Sequence, residues 1–418
     1  MRPRLFFLLA FPVGVAAQGP TLHEVVTFAL DHNTDVLTAR LHVDSAHAEK
    51  RIAHGFANPT ASIAPGVPYE YGLSTDLDIG PNRYYRIKAA RQGLVATRYT
   101  LVDMQRQVTF NVRSAFYDLL LADALAALAI DERTIFAQVL AADSTRLRTG
   151  ATPEANVVTS ELNLARADAA VAKAQATVRS ARLALQLLMG VPKPDTGYAV
   201  RGTLRFETIA LPADQPDSLL TVAYAERPDV KNADELLAQS RSLREQSGWL
   251  LLPVPNLGVT YQPDVNFQSP GLQPSTVIGG AGSHLALSFS APVPLWNWFG
   301  GEREKAKAGV AVARTADIEV RRQATSDVIQ AADSLRSATV LARKYQGGLL
   351  DKTQRAVESA RYAYERGAIS LLDLLDAIRT NQDIRTEYLT AVHDYWVAAY
   401  SLDRAVGRDL IPDEASPQ

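Results

Sequence analysis

The chain has 418 residues, enough for two or three ordinary domains, and a formal net charge of −2 leaves no basic field to recruit nucleic acid. Cysteine is absent, which excludes disulfides, thiolate zinc sites, thiol catalysis and a lipidated cysteine. Hydrophobic residues make up 47%, too many for disorder, while a mean hydropathy of −0.07 is too low for a bundle of membrane helices.

At the amino terminus, Arg2 and Arg4 precede an apolar stretch from Leu5 to Val15, and Val15-Ala16-Ala17 supplies small residues after it. That order of charge, apolar run and small residues predicts an export signal over 1–17, cut after Ala17. The stretch is too short to cross a bilayer. A buried first helix is the alternative. With export, the mature chain lies outside the cytoplasm, and no cysteine follows the cut to carry a lipid anchor there.

The chain repeats itself once. Arg148-Thr149-Gly150-Ala151 and Glu365-Arg366-Gly367-Ala368 open two equally long segments, which end at Gly190 and Gly407. Upstream, Val112-Arg113-Ser114-Ala115 aligns with Val328-Ile329-Gln330-Ala331, and Lys88-Ala89 with Lys305-Ala306. Asp35-Val36 with Ala39 aligns with Asp229-Val230 with Ala233, after a change in loop length. So long a period is a duplication and not a solenoid. It predicts a first repeat over 18–190, a connecting segment over 191–215, a second repeat over 216–407 and a tail over 408–418.

Each half reads as helix, two strands, long helix, long helix. Leu22, Val25, Val26, Ala29, Leu30, Val36, Leu37 and Leu41 have helical spacing, with Thr21 and Glu24 set as a capping box. Residues 86–147 and 302–365 lack proline and are rich in good helix formers. Their partners over 153–189 and 370–406 follow after short glycine turns, so two long antiparallel helical hairpins are expected.

Four stretches between the helices alternate with period two. They run from Ala57 to Val67, around Leu77 and Ile79, from Asn256 to Phe267, and from His284 to Leu295. Such alternation suits a barrel strand with lipid on one side and water on the other. An ordinary half-buried sheet has the same pattern. Tyr84 and Tyr85, then Trp296, Trp298 and Phe299, fall at strand ends as aromatic girdle residues do. Four strands cannot close a barrel, and an open sheet in lipid leaves unpaired backbone groups. Either the sheet covers a soluble core or several chains pool their strands.

At this point the chain resembles the TolC family of outer-membrane efflux proteins, over essentially its whole mature length. The likeness rests on the duplicated layout and on Pro294-Leu295-Trp296-Asn297-Trp298-Phe299-Gly300-Gly301 before the second long helix. It rests also on Tyr364-Glu365-Arg366-Gly367 leading to Asp373-Leu374-Leu375-Asp376. Asp78-Ile79-Gly80-Pro81-Asn82-Arg83 tilts it toward the heavy-metal, CzcC-like branch. The resemblance implies a mainly α fold with a small β part. In a homotrimer it implies a twelve-stranded barrel in the outer membrane, continued by an α-helical barrel into the periplasm. Residues 191–215 and 408–418 would form an equatorial belt. The expected function is a passive exit duct, not an enzyme, which meets a periplasmic adaptor (membrane fusion) protein and an inner-membrane transporter of resistance-nodulation-division or ABC type. Type I protein secretion is the alternative use of such a duct.

The resemblance also assigns residues. Asp373 and Asp376 match acidic positions at the constricted periplasmic mouth, and they stand three apart on one helical face. Two solvated helix acids would look the same. Tyr364 matches a position that ties the coiled coils shut, although Ile369 stands where the family has an arginine. The turns holding Gly150, Thr152, Gly367 and Ala368 are expected to be adaptor-contact tips, and each glycine also suits a left-handed helix cap. Five of the seven histidines (His23, His32, His42, His47 and His54) crowd the first helical region, yet one helix rarely supplies a closed metal site, so neither metal nor cofactor is expected. Gly279-Gly280-Ala281-Gly282 reads as a hairpin loop. No nucleotide-binding loop or catalytic elbow is present. A periplasmic coiled-coil scaffold explains the helices but leaves the alternating strands unexplained.

Overall fold

A computed structural model of the chain describes residues 19–65, 69–209, 216–263 and 283–411. The expected signal segment, Val67, Val265, Phe267, the Gly279-Gly280-Ala281-Gly282 loop, residues 210–215 of the connecting segment and 412–418 of the tail lie outside these. The element order is α1 Leu22–His32, α2 Thr34–His54, β1 Thr60–Ala64, β2 Glu70–Asp76, α3 Pro81–Arg148, α4 Glu154–Met189, α5 Pro216–Glu226 and α6 Pro228–Gly248. A short 3-10 turn at Trp249–Leu251 leads to β3 Asn256–Gln262, β4 His284–Ser290, α7 Gly300–Gln346, α8 Leu349–Glu365 and α9 Leu371–Val406.

The helix boundaries follow local chemistry. Thr21 and Glu24 form the expected capping box of α1. One helix over 21–56 is not what forms. Asn33 breaks it, because its side-chain oxygen accepts from the amides of Asp35 at 2.8 Å and Val36 at 3.3 Å and so starts α2 anew. The expected helix over 302–365 is also divided, at Gly347-Gly348, where Gly348 takes φ 96 between α7 and α8. By contrast α3 runs unbroken for 68 residues, about 100 Å at the α-helical rise.

Two compact units emerge. Of the described residues, one takes those up to Thr38, those within 103–227 and those from Gln323; the other takes those within 39–102 and 228–322. In the first unit an aromatic core gathers Phe116, Tyr117, Tyr395, Trp396 and Tyr400. The rings of Tyr117 and Trp396 stack at 5.4 Å. The described part of the connecting segment is tied to α9. The Trp396 indole N–H donates to the carbonyl of Arg205 at 2.8 Å, and the Tyr395 hydroxyl donates to that of Glu207 at 2.9 Å.

Two helix-terminal glycines close this unit. Gly190 (φ 74) ends α4 so near α1 that a β-carbon would stand 2.3 Å from the carbonyl oxygen of His32. Asn33 completes the contact by donating to the carbonyl of Leu188 at 2.7 Å. Gly407 (φ 79) ends α9 against Arg227, whose α-carbon would lie 2.9 Å from an added β-carbon. Glycine answers both demands, left-handed backbone and close approach.

Beyond Gly407 the chain turns back on a buried carboxyl. Asp403 is 3% exposed and accepts from the Leu410 amide at 3.1 Å, while Arg113 stands 3.7 Å from it and 3.0 Å from Asp409. Burial pushes the Asp403 carboxyl up to about 7, against the downward pull of the Leu410 amide and Arg113.

The second unit holds an antiparallel sheet in the order β1-β2-β3-β4. Its registers pair Ile63 with Tyr71, Leu73 with Val259, Tyr71 with Tyr261, Val259 with Leu287 and Leu257 with Phe289. The second strand is not where Leu77 and Ile79 alternate. It is Glu70–Asp76, and Leu77 lies beyond it, its amide bonded to the carbonyl of Pro255 at 2.7 Å.

Replacing Gly190 with alanine is expected to destabilise the protein by about 1–3 kcal/mol, seen as a lower thermal midpoint in detergent. Gly309→Ala, in open space on α7, should not lower it. Folded Asp403 holds a proton that an unfolded aspartate releases near 3.8, so its contribution is complete below that pH and is lost as pH rises to about 7. Chemical denaturation across that window should therefore show stability falling with pH, by at most roughly 1.4 kcal/mol per unit from this group. Asp403→Asn should flatten the slope.

Candidate functional site

Two regions carry the sequence-predicted residues: the helical turns of the first unit and the sheet with its flanks in the second.

Arg148 ends α3 and Glu365 ends α8, and the two turns that follow are built alike. Gly150 (φ 72) and Gly367 (φ 73) are left-handed. The amide of Ala151 donates to the carbonyl of Arg146 at 2.8 Å, and that of Ala368 to Ala363 at 2.9 Å. This is the glycine-closed helix end expected from the sequence. Nothing lies within 4 Å of a β-carbon placed on either glycine, so backbone angle alone accounts for them. Thr152 accepts from Asn156 at 2.9 Å, whereas Ser370 and Asp373 form a reciprocal capping box at the start of α9.

Asp373 and Asp376 are both exposed, opposite a buried stripe of Leu371, Leu374, Leu375 and Ile378. The hydroxyl of Ser370 donates to the Asp373 carboxylate at 2.7 Å and its amide at 3.0 Å. These bonds hold the Asp373 carboxyl below its ordinary range, so it stays ionised.

Tyr364 is the informative residue. It is 4% exposed and sits in an apolar cluster with Phe136, Val139, Val357, Leu371 and Leu375, against which Ile369 packs. Its hydroxyl donates to Asp143, a fully buried carboxylate that also accepts from Ser160 at 2.5 Å. Arg146 donates to the Tyr364 carbonyl and lies over its ring at 4.5 Å. Burial, and then the bond to Asp143, push the phenol up to about 12. The three helices α3, α4 and α8 thus meet in one polar knot inside an apolar shell. Arg146, from the other hairpin, places a guanidinium beside Tyr364, where Ile369 offers none. The sequence reading missed Asp143, Arg146 and Ser160. No local signal marked them, since α3 carries many other charged residues along its length.

The sheet has two faces of opposite character. Ala61, Ile63, Tyr71, Leu73, Leu257, Val259, Tyr261, Leu285, Leu287 and Phe289 register together on one face. The other carries Thr60, Ser62, Gly72, Ser74, Gly258, Thr260 and Ser288. The apolar side chains are exposed: Leu287 at 77%, Leu285 at 72% and Phe289 at 70%. Both edge strands, β1 and β4, have one free side in this sheet. Among the girdle candidates, Trp296 is 95% and Trp298 64% exposed after β4, and Phe299 turns into α7 with φ 54. Tyr84 and Tyr85 belong to the first turns of α3 and not to a strand end; Tyr84 is exposed and the rings meet edge to face at 5.1 Å. No described helix is long and apolar enough to cross a membrane, which says nothing about strands. Among the described residues no group of three or more His, Asp or Glu is placed to hold a metal ion.

Residues 219–408 match the family model described as outer membrane efflux protein. The cobalt-zinc-cadmium resistance protein CzcC of Cupriavidus metallidurans is 25% identical over 403 residues, covering 94% of this chain and 91% of its own. The cation efflux system protein CusC of Escherichia coli K12 is 24% identical over 419 residues, covering 92% and 85%. The family match lies in the second half of the chain, and the curated relatives extend the likeness over more than nine-tenths of it. In fold it matches the open state of the Neisseria gonorrhoeae MtrE outer membrane channel with a TM-score of 0.76 at 20% identity, over 98% of this chain and 97% of that one. The TolC-type resemblance and its CzcC-like tilt both hold, and the mixture of long helices with a small sheet is that of the family's solved channels.

Loss of the Tyr364 hydroxyl leaves a buried carboxylate short of a donor. Tyr364→Phe should cost about 1–3 kcal/mol of stability, read as a lower thermal midpoint. Tyr362→Phe, at a 60% exposed neighbour, should change nothing measurable.

Proposed function

We propose that this protein is a trimeric outer-membrane exit duct of a tripartite efflux pump. The observation that carries the reading is the sheet: one predominantly apolar, solvent-exposed face, one face of small or polar residues, and two open edges. A face of exposed Leu, Val, Phe and Tyr is stable only against lipid or another apolar surface. Backbone groups on the open edges need partners if lipid surrounds them. Three chains pooling four strands each meet both needs, with polar residues lining the lumen. Trp296, Trp298 and Phe299 then mark the interface, where amphipathic rings settle. Tyr84 and Tyr85 sit one step further, on α3.

In this reading the hairpins α3–α4 and α8–α9 form the periplasmic tube, and the two halves 18–190 and 216–407 are duplicated units. The remaining segments 191–215 and 408–418 form the belt. The tips at Gly150, Thr152, Gly367 and Ala368 meet a periplasmic adaptor, which couples the duct to an inner-membrane transporter. The duct itself catalyses nothing. The names of the relatives, cobalt-zinc-cadmium resistance and cation efflux, point to metal cations as cargo and to a resistance-nodulation-division transporter as the partner.

The gate is assigned to the knot and the acids. Tyr364, held by Asp143 and Arg146, fixes α8 against the other hairpin. Asp373 and Asp376 present ionised or ionisable carboxylates from α9, and a three-fold axis would collect six of them. A carboxylate ring attracts cations and is blocked by multivalent ones. Asp373→Ala combined with Asp376→Ala is expected to raise single-channel conductance in planar bilayers and to weaken block by multivalent cations. Unchanged conductance with unchanged block would remove these residues from the mouth. A protein that washes from membranes with salt, and runs as a monomer in detergent, would remove the duct itself.

A further inference from the structure

The second unit holds a cluster of basic side chains with no carboxylate lining it. His47, Lys50, Arg51 and His54 line one face of α2 around a cavity of about 430 Å³. Lys50 and His54 also border a second cavity, of about 400 Å³, with Arg91 and Arg98 of α3. Ile87, Leu94 and Val95 give the second cavity an apolar floor. The two imidazoles are oriented: Arg98 donates to Nε2 of His47 at 3.0 Å, and Nδ1 of His54 lies 2.8 Å from the carbonyl of Lys50.

Some arginines elsewhere in this unit find carboxylates. Arg86 pairs with Asp78 at 2.7 Å, and Arg321 with Asp234 at 2.6 Å and Asp317 at 2.9 Å. Among the described residues, Lys50, Arg51, Arg91 and Arg98 have no such partner. Asp44 and Glu49 of α2 border neither cavity. Four fixed positive charges around two cavities that share Lys50 and His54 repel one another, and an anion placed between them relieves that repulsion. Guanidinium forks suit a multi-oxygen anion better than a spherical one.

We propose that the α2–α3 cleft binds a phosphate-bearing anion. The apolar floor suits a phosphate attached to an acyl chain. The cleft also lies close in sequence to the sheet, since α2 ends at His54 before β1 opens at Thr60 and α3 begins at Pro81 after β2 closes at Asp76. A membrane-lipid phosphate as the source rests on the barrel reading above. Free phosphate does not, so the two readings fail separately.

Native mass spectrometry of the full detergent-solubilised protein tests this, with phosphatidylglycerol, phosphatidylcholine or inorganic phosphate added in turn. Arg51 and Arg91 are exposed, so Arg51→Gln with Arg91→Gln should leave the fold intact. Arg322→Gln, an exposed arginine elsewhere in the unit, serves as control. The wild type and the control should retain at least one of phosphatidylglycerol and inorganic phosphate about fivefold or more above the double variant. Retention of phosphatidylglycerol over phosphatidylcholine identifies a lipid phosphate; retention of inorganic phosphate alone identifies a soluble one. Equal retention by wild type and double variant in every arm overturns the proposal.

Discussion

The constraint on which the rest depends is the open sheet. Its four strands place every long apolar side chain on one face and small or polar groups on the other, and the strands at both edges have a free side. Such a sheet has no stable place in water, where the apolar face is unpaid for, and none in lipid, where the edges are unpaired. Closure with further strands is the physical escape. The small polar face fits closure: a β-carbon on Gly72 would meet Ser62, and one on Gly258 would meet Ser288, each at 2.4 Å. The helices inherit the consequence, since each strand pair leads into a helix of 47 or 68 residues and not into a compact domain.

How much of this could be read from the residues varies with the range of the deciding contact. The partner helices α4 and α9 were legible within a residue, and α3 within a few, because missing prolines, helix-forming composition and terminal glycines are local. β3 and β4 were legible because Leu257, Val259 and Tyr261, then Leu285, Leu287 and Phe289, alternate without interruption. β2 was misplaced by several residues. Tyr71 and Leu73 alternate with Gly72 and Ser74 as well as Leu77 and Ile79 do with their neighbours, and only the pairing of Tyr71 with Tyr261 selects between them. The breaks at Asn33 and Gly347-Gly348 were visible as residue types, but helical periodicity passes smoothly over both.

The site divides along the same line. Tyr364, Asp373 and Asp376 lie in one short stretch and were found together. Their partners were not, since Asp143 and Arg146 are more than two hundred residues away in sequence. A buried carboxylate is costly unless paired, but among the many charged residues of α3 nothing local marks Asp143 as the buried one. The sequence supplies no direction in which to look.

The knot and the aspartates answer different physical demands. Asp143 is fully buried, and its two donors come from two other helices, Ser160 of α4 and Tyr364 of α8. Its environment is coherent only while those helices stay together, so it specifies an arrangement more than it adds stability. Asp373 is exposed and satisfied within its own helix start by Ser370, so its charge persists whichever way the hairpins stand. A mouth built on this plan can change its width by breaking buried, specific bonds while keeping its surface charge constant. The acids at the start of α9 and the unpaired bases between α2 and α3 belong to different units of the fold. A chain whose net charge is −2 therefore carries strong local fields of both signs. Near-neutrality excludes a polyanion partner for the whole molecule, but it places no limit on what either local field attracts.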